Sequence, residues 1–338
     1  MVRLKDIAYR AGVSVMTVSK ALRDAKDISV ATKARIKDMA EEMGYVPDAA
    51  AAGLRTRSTR LFGLVISTLT NPIFARMVMA IEEWAYQHGY AVLLMHSHND
   101  PPREEQCIRR LMSRRVDGMF ISPASRLEPT SKVYEELQAS GIPVVILGSR
   151  AKFCAGFRCV ESDDVAASAS VTRHLIELGH RRIAFFAGPQ VSPWAHDRFT
   201  GYKKALREAK IEFDESLVFQ AGATIEEGEK AAVQFSSEGT EATAIQAVND
   251  LVAIGAGSLL LKQGVRIPQD ISLAGFGNVL VSEHFRVPLT TVRQPKFRLG
   301  VAAMELMLAQ LRNEKAESKR LPADLVIRQS TAAPAVKK

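Results

Sequence analysis

The sequence has few cysteines and none of the spacings in which cysteine usually builds structure. Its 338 residues include three, Cys107, Cys154 and Cys159, with no Cys-x-x-Cys pair. An odd number without paired spacing argues against a disulfide framework and against a zinc site. We therefore expect a protein of the reducing cytoplasm, with no metal site and no cofactor.

Long apolar runs are also missing. No run of about 18 apolar residues occurs, which is roughly the length that a membrane-spanning helix needs. The N-terminus is charged from Arg3 onward and has no apolar core of signal-peptide length. We expect neither secretion nor membrane insertion.

Catalytic motifs are scarce as well. Gly255-Ala256-Gly257 and Gly275-Phe276-Gly277 lack the third glycine of a dinucleotide-binding loop. No Ser/His/Asp set, supported carboxylate pair or metal-ligand cluster stands out. An enzyme remains one alternative class, but no catalytic residue can be named and we expect no enzyme.

Positive charge is concentrated at the start of the chain. The net charge is +8, and the first 60 residues hold twelve Lys or Arg against seven Asp or Glu, an excess of five. This bias favours a polyanionic partner, nucleic acid before an anionic membrane. A solvated basic face is the alternative.

Residues 1–46 have the pattern of three short helices. An apolar face recurs at helical spacing from Leu4 to Ala11, and Gly12 ends that helix. Ser14 is placed to cap a second helix and Ser29 a third. Two short helices joined by a tight turn with glycine form a helix-turn-helix, whose second helix can enter the DNA major groove. An ordinary helical hairpin is the alternative.

Residues 47–60 form a Pro-led, Ala-rich run and then a basic linker. Pro47 and Asp48 suit the first turn of a helix, but Gly53 costs it roughly 1 kcal/mol. An isolated helix this short is marginal in water, so we expect this helix to form only when something binds it.

From Leu61 onward, short apolar runs alternate with amphipathic stretches such as the one from Lys296 to Leu311. The runs are LFGLVIS, AVLLMHS, DGMFIS and PVVILGS, and then RIAFFAG, TAIQAV and ISLAGFG. Apolar strands separated by helices indicate an α/β fold with two doubly wound parallel-sheet lobes. Ligands of such folds bind at the carboxyl ends of the strands, here in a cleft between the lobes.

The segments LKDIAYRAGVSVMTVSKAL and GYVPDAAAAGLRT resemble the lactose-repressor and purine-repressor (LacI/GalR) family of bacterial transcription regulators. The resemblance continues through NPIFARMVMAIEE, RRVDGMFIS, GHRRIAF, AVNDLVAIGA, RIPQDISLAGF and LTTVRQP, and so covers nearly the whole chain. It implies a helix-turn-helix DNA-binding domain at 1–46, a hinge helix and linker at 47–60, and a two-lobed effector-binding and dimerisation domain of periplasmic-binding-protein type at 61–338.

The resemblance also implies DNA contacts. These are Val15, Met16 and Lys20 at base edges, Thr17 and Ser19 near phosphates, Leu54 as a minor-groove wedge, and Arg55 in a linker near the DNA backbone. Val15 and Met16 carry no strong donor and are expected to read thymine methyl groups or shape, which leaves Lys20 for guanine.

Three ligand contacts follow from the resemblance, each with an alternative. Phe74 is expected to be an apolar wall, or else plain core. Arg198 is expected to be a charged donor, or else an interlobe salt bridge. Asn249 is expected to bind ligand through its amide, or else to cap a helix.

Departures from the family pattern leave the effector open. After ISLAGF the usual Asp is Gly277, followed by Asn278, which we add to the candidate ligand contacts. Ala223 stands where several members have an aromatic lid. Trp194 is a further candidate for stacking, or else a loop residue packed on the lobe. A sugar or sugar derivative is one candidate effector.

The resulting expectation is a repressor whose affinity for a near-palindromic operator is controlled by a small molecule. The tail QSTAAPAVKK lacks the heptads of a tetramerising bundle, so a homodimer is expected, associated with the nucleoid when bound to DNA. A solute-binding protein without DNA function is the alternative; the basic N-terminal segment and the missing signal peptide count against it.

Overall fold

A computed structural model describes residues 2–46, 58–69 and 72–335. Contacts within the chain divide it into two compact units, Met1–Thr59 and Arg60–Lys338. The expected hinge helix, with Leu54 and Arg55, lies outside the described residues. The boundaries expected for the three domains stay predictions.

The first unit contains three helices: α1 (Leu4–Ala11), α2 (Val15–Ala21) and α3 (Val30–Glu42). Gly12 ends α1 with a φ of 65°, in the left-handed region that favours glycine. Ser14 Oγ accepts from the Thr17 amide at 3.0 Å and so caps α2. Ser29 caps α3 in the same way. The predicted helix-turn-helix and both caps are confirmed.

A small apolar core holds these helices together. Ile7 on α1, Val18 on α2 and Ile36 on α3 have no exposed surface. Each helix is too short to be stable alone in water, so this shared core carries the fold of the unit.

In the second unit, lobe 1 is built on a six-stranded sheet whose neighbouring strands are all parallel. Its strands, from one edge to the other, are β2 (Ala91–His96), β1 (Leu61–Ile66), β3 (Gly118–Ile121), β4 (Val144–Leu147), β5 (Arg158–Ser162) and β11 (Lys319–Leu321). The helices around it are α4 (Pro72–Gln87), α5 (Pro101–Ser113), α6 (Lys132–Ala139) and α12 (Lys296–Leu311).

Both faces of the lobe 1 sheet are covered. On β1, Phe62 and Leu64 pack into a core with Leu299 of α12, and Val65 packs into a second core with Leu111 of α5. Burial on both faces explains why the strands read as continuous apolar runs.

Lobe 2 has a four-stranded parallel sheet in the order β7 (Val218–Gln220), β6 (Ile183–Ala187), β8 (Ala244–Ala247) and β9 (Ser272–Ala274). Its helices are α7 (Asp164–Glu177), α8 (Pro193–Glu208), α9 (Ile225–Glu238), α10 (Asp250–Lys262) and the short α11 (Leu280–Glu283). An antiparallel ribbon joins β10 (Thr291–Arg293) to β12 (Asp324–Val326), and 3₁₀ turns span Lys152–Cys154 and Glu215–Leu217. The two predicted doubly wound lobes are confirmed.

The crossings between the lobes are bonded to one another. The chain leaves lobe 1 after β5 and returns to it after β10. Between these crossings, Gln294 Nε2 donates to Ser162 Oγ at 2.7 Å and to Asp164 Oδ1 at 3.2 Å.

Within the described ranges, no helix has both the length and the apolar character that a membrane span requires.

Candidate nucleic-acid interface and ligand cavity

A cavity of about 520 Å³ lies between the lobes, within the size range of small-molecule sites. Residues at or just after the carboxyl ends of strands line it from both sides. Lobe 1 contributes His96 from β2 and Gly148 after β4, and lobe 2 contributes Asn249 after β8 and Phe276 after β9. The cavity is therefore where parallel sheets are expected to bind ligands.

The wall of the cavity is largely apolar. Two of the residues predicted from the sequence, Phe74 and Trp194, are part of it, together with Phe153, Phe276 and Leu299. Phe74 also packs against the lobe 1 core. Both interpretations of Phe74 thus describe its position.

Arg198 lines the cavity with its charge already paired. Its Nε and Nη2 donate to Asp164 Oδ2, each at 2.8 Å, and its Nη1 donates to the Val248 carbonyl at 2.8 Å. The guanidinium carbon lies 3.8 Å from the ring centre of Phe276 and 4.8 Å from that of Trp194. The ion pair joins α7 to α8 within lobe 2 and does not bridge the lobes.

Asn249 caps a helix and also lines the cavity. Its Oδ1 accepts from the Val252 amide at 2.8 Å and caps α10, and its Nδ2 donates to the Ala223 carbonyl at 3.0 Å. It also lines the cavity, although only 5% of its surface is exposed.

Asn278 does not join the other predicted contacts. It is absent from the cavity wall, and its Oδ1 accepts from Arg328 Nη2 at 2.8 Å. Its backbone is left-handed, with a φ of 47°, and its carbonyl oxygen accepts from Lys296 Nζ at 2.8 Å.

Sequence reasoning missed Asp250, which lines the cavity and is 1% exposed. Its carboxylate accepts from the Val279 amide and from the Thr291 hydroxyl. Burial raises the pKa of Asp250, and these two hydrogen bonds oppose the rise. A Cβ at Gly275 would lie 2.3 Å from Asp250 Oδ1, so only glycine fits there. Asp250 directly follows Asn249 in the segment AVND, so its place after the same strand is the signal that could have found it.

The positive charges of Lys296 and, to a lesser extent, Arg198 stabilise the Asp250 carboxylate. Burial lowers the pKa of Lys296 to about 8, and the charge of Asp250 opposes that effect. Asp250 lines the cavity, whereas Lys296 does not.

The first turns of α2 present apolar side chains to the outside. Val15 is 46% exposed and Met16 is 63% exposed, while Thr17 and Ser19 are partly buried at their side. Large apolar side chains at the N-terminal end of the second helix of a helix-turn-helix suit contact with base edges.

Lys20 is paired with an acid. Its Nζ forms an ion pair with the carboxylate of Asp27, and a hydrogen bond from Lys20 is the main cause that lowers the pKa of Asp27. Of the three predicted base-contacting residues, Lys20 is the one with an amine, and this amine contacts Asp27 of the same unit.

Two family patterns match the chain. Residues 3–48 match the family described as bacterial regulatory proteins, lacI family. Residues 59–329 match periplasmic binding proteins and sugar binding domain of LacI family. The chain belongs to the LacI family.

Individual LacI family members are similar over nearly the full length. The HTH-type transcriptional repressor PurR of Vibrio atlanticus (strain LGP32) is 31% identical, covering 94% of this chain and 95% of its own. The HTH-type transcriptional repressor CytR of Escherichia coli (strain K12) is also 31% identical, covering 98% and 96%. Among solved structures, the lac repressor dimer bound to operator and the anti-inducer ONPF superposes with a TM-score of 0.88 at 26% identity, covering 98% and 99%.

Membership in the LacI family gives the two units their roles. The helix-turn-helix unit is a DNA-binding domain, and the two-lobed unit is an effector-binding domain. The protein is a DNA-binding transcriptional repressor, and the solute-binding alternative is not favoured.

Proposed function

We propose that this repressor binds a near-palindromic operator as a homodimer, and that a small molecule in the interlobe cavity controls its affinity for that operator. The observation that carries the proposal is the cavity wall, to which both lobes contribute aromatic and polar side chains. A ligand held by both lobes stabilises one arrangement of them over another, which is the requirement for control of a second site.

The proposed DNA contacts are those of α2 and of the hinge. Val15 and Met16 read thymine methyl groups or groove shape, Lys20 reads guanine, and Thr17 and Ser19 contact phosphates. Leu54 and Arg55 complete the set as minor-groove wedge and backbone contact. The exposure of Val15 and Met16 supports their part in this proposal.

The proposed effector contacts are Phe74, Trp194, Arg198 and Asn249, all of which line the cavity. Asn278 is left out because its side chain is bonded to Arg328 instead. A sugar or sugar derivative fits the family description of this domain. We assign no catalysis, and we place the protein in the bacterial cytoplasm, on the nucleoid when it is bound to DNA.

Selection of genomic DNA fragments by the full-length protein tests the proposal. We expect enrichment of one motif with two-fold symmetry, and loss of that enrichment in a variant with Met16→Ala and Lys20→Ala. Lys37→Ala is a matched control, because Lys37 lies on α3 and pairs with Asp24. Weak binding without sequence preference would contradict the proposal.

A further inference from the structure

The turns before two neighbouring strands of lobe 1 bring three exposed arginines together. Arg60 directly precedes β1, and Arg114 and Arg115 lie in the turn between α5 and β3. Strands β1 and β3 are parallel neighbours in register from Phe62 and Gly118, so the two turns lie side by side. We call Arg60, Arg114 and Arg115 the lobe 1 basic edge.

Backbone contacts fix the position of both turns. The Arg60 amide donates to Asp117 Oδ2 at 3.2 Å, and the Asp117 amide donates to the Leu61 carbonyl at 2.8 Å. Arg115 has a φ of 54°, and the next residue, Val116, is buried and packs into the lobe 1 core. The arginines are therefore attached to a fixed part of the fold, while they remain exposed to solvent.

Positive charge is not balanced within these turns. Residues 58–60 and 114–117 together hold three Arg and one Asp. Arg110 and Arg114 lie four residues apart at the end of α5, where like charges repel each other. Within the described ranges, Arg114 has no ion-pair partner. An anionic partner would relieve the repulsion among these side chains.

At the equivalent edge of lobe 2, acids outnumber bases. The turns that precede the sheet strands hold five Lys or Arg against three Asp or Glu in lobe 1, and four against five in lobe 2. The turns compared are 58–60, 88–90, 114–117, 140–143, 155–157 and 312–318 in lobe 1, and 178–182, 209–217, 239–243 and 263–271 in lobe 2. Both lobes are doubly wound sheets, so the fold itself does not demand the excess in lobe 1.

The basic edge is also where the chain from the DNA-binding unit enters lobe 1. Residues 47–57 separate the described part of that unit from Ser58. A segment of this length spans at most roughly 40 Å when fully extended. DNA presents phosphates along its whole length, and a guanidinium group binds a phosphate with two parallel hydrogen bonds. DNA is therefore the polyanion most available to these arginines.

We propose that the lobe 1 basic edge binds phosphates of the DNA duplex that the helix-turn-helix unit holds. The effector-binding domain thereby contributes to DNA affinity through contacts of its own. Phosphate contacts carry no sequence information, so this surface adds affinity on operator and random DNA alike. The inference goes beyond the proposed function, because this surface lies outside the helix-turn-helix, the hinge and the cavity.

A pair of matched double variants of the full-length protein tests this surface. Arg114→Gln with Arg115→Gln removes two charges from the basic edge, and Arg207→Gln with Lys210→Gln removes two from lobe 2. The second pair is matched because Arg207 lies in the last turn of α8 and Lys210 has a φ of 56°. Both variants have the same net charge, so the effect of net charge on DNA binding cancels in the comparison.

Fluorescence anisotropy with a random-sequence duplex, over a range of salt concentrations, measures the effect. We expect the lobe 1 variant to bind more weakly, and its slope of log affinity against log salt to become shallower by at least about one. The lobe 2 variant should keep the affinity and slope of the natural sequence. Thermal unfolding checks that both variants fold, and Arg114→Gln alone should shift the slope in the same direction.

Two results would overturn the proposal. One is an equal slope in the lobe 1 and lobe 2 variants, and the other is a loss of affinity on the selected operator without any loss on random DNA. The measurement on random DNA needs neither an operator motif nor a ligand. Its outcome therefore stays interpretable if the test of the proposed function fails.

Discussion

Lys20 and Asp27 form an ion pair on the exposed side of the DNA-binding unit, with side-chain exposures of 39% and 56%. A neutral Asn at 27 removes the anion that competes with DNA for the ammonium group. We expect Asp27→Asn to bind random DNA more tightly and to lose affinity with salt more steeply, by about one counterion. Fluorescence anisotropy over a range of salt concentrations measures both effects.

The control for this variant is Asp24→Asn. It removes the same charge from an ion pair with Lys37 on α3, at 2.7 Å. If Lys20 contacts DNA, the dependence of DNA affinity on salt concentration changes more for Asp27→Asn than for Asp24→Asn. Equal slopes in the two variants would rule out a special role for the Lys20 pair.

Replacing Arg198 should lower the stability of the fold as well as remove a proposed effector contact. Arg198→Met leaves Asp164 buried without its cation, and we expect a loss of about 3 kcal/mol in unfolding free energy. Urea unfolding measures the loss, and Asp164→Asn in the same chain should recover part of it. Arg173→Met, which breaks an exposed pair with Glu208, should cost less than about 1 kcal/mol. A similar cost for both Met variants would speak against a paired Arg198.

At the scale of elements, α12 was predictable from the sequence and several strands were not. The helix spans Lys296–Leu311 as predicted, because sixteen residues hold enough helical periodicity to be recognised locally. Strands β7 and β10 have three residues each and carry no pattern of their own. Strand β11 exists only through its pairing with β5, which lies far away in the sequence.

The same contrast holds for the cavity. Arg198 and Asn249 could be named from the sequence because the motifs that hold them resemble those of the LacI/GalR family. Arg126, which also lines the cavity, and Asp250 could not, since their chemistry depends on partners from other segments, such as Glu104 and Thr291. A single sequence shows which strands end where, but it does not show which buried charges meet.

The cap of α2 gives a prediction at this scale. Ser14→Ala removes the acceptor for the Thr17 amide, and we expect α2 to lose about 1 kcal/mol of stability. Hydrogen exchange in the full-length protein should then accelerate at the amides of α2. Ser29→Ala is the matched control and should act on α3. Unchanged exchange in α2 would show that the cap does not stabilise it.

The C-terminal segment is bonded to lobe 2 through His180, beside β9. The His180 Nε2–H donates to the Ala332 carbonyl at 2.9 Å, and its Nδ1 forms a hydrogen bond with Thr243 Oγ1 at 2.8 Å. Burial lowers the pKa of His180, the charge of His174 adds to this, and the bond to Ala332 opposes it. The folded protein therefore favours the neutral ring, and this contribution to stability is present above the ordinary pKa of about 6.5 and is lost as the pH falls below it.

Replacing His180 isolates this contribution. In His180→Gln the urea midpoint should fall less between pH 7 and pH 5 than it does in the natural sequence, because one group that gains a proton on unfolding is gone. His174, whose pKa burial also lowers, titrates in both proteins and cancels in the comparison. Parallel pH profiles would contradict the prediction.

At the scale of the whole molecule, one chain joins a DNA-binding unit to an effector-binding unit. Arg198, Asp164 and Gln294 link the cavity wall to the segments where the chain crosses between the lobes. We therefore expect a ligand in the cavity to act on the crossings. This is the physical basis for expecting that occupancy of the cavity alters operator affinity.

The most direct test of this coupling is the affinity of the full-length protein for its selected operator. It is measured with and without the small molecule that most raises the Tm of the protein in a thermal-unfolding screen. Binding in the cavity and binding to DNA are linked, so we predict a change of roughly 5-fold to 150-fold at saturating ligand, in either direction. The coupling free energy between two such sites is typically about 1–3 kcal/mol. The account is contradicted if saturating ligand changes the operator affinity by less than about two-fold.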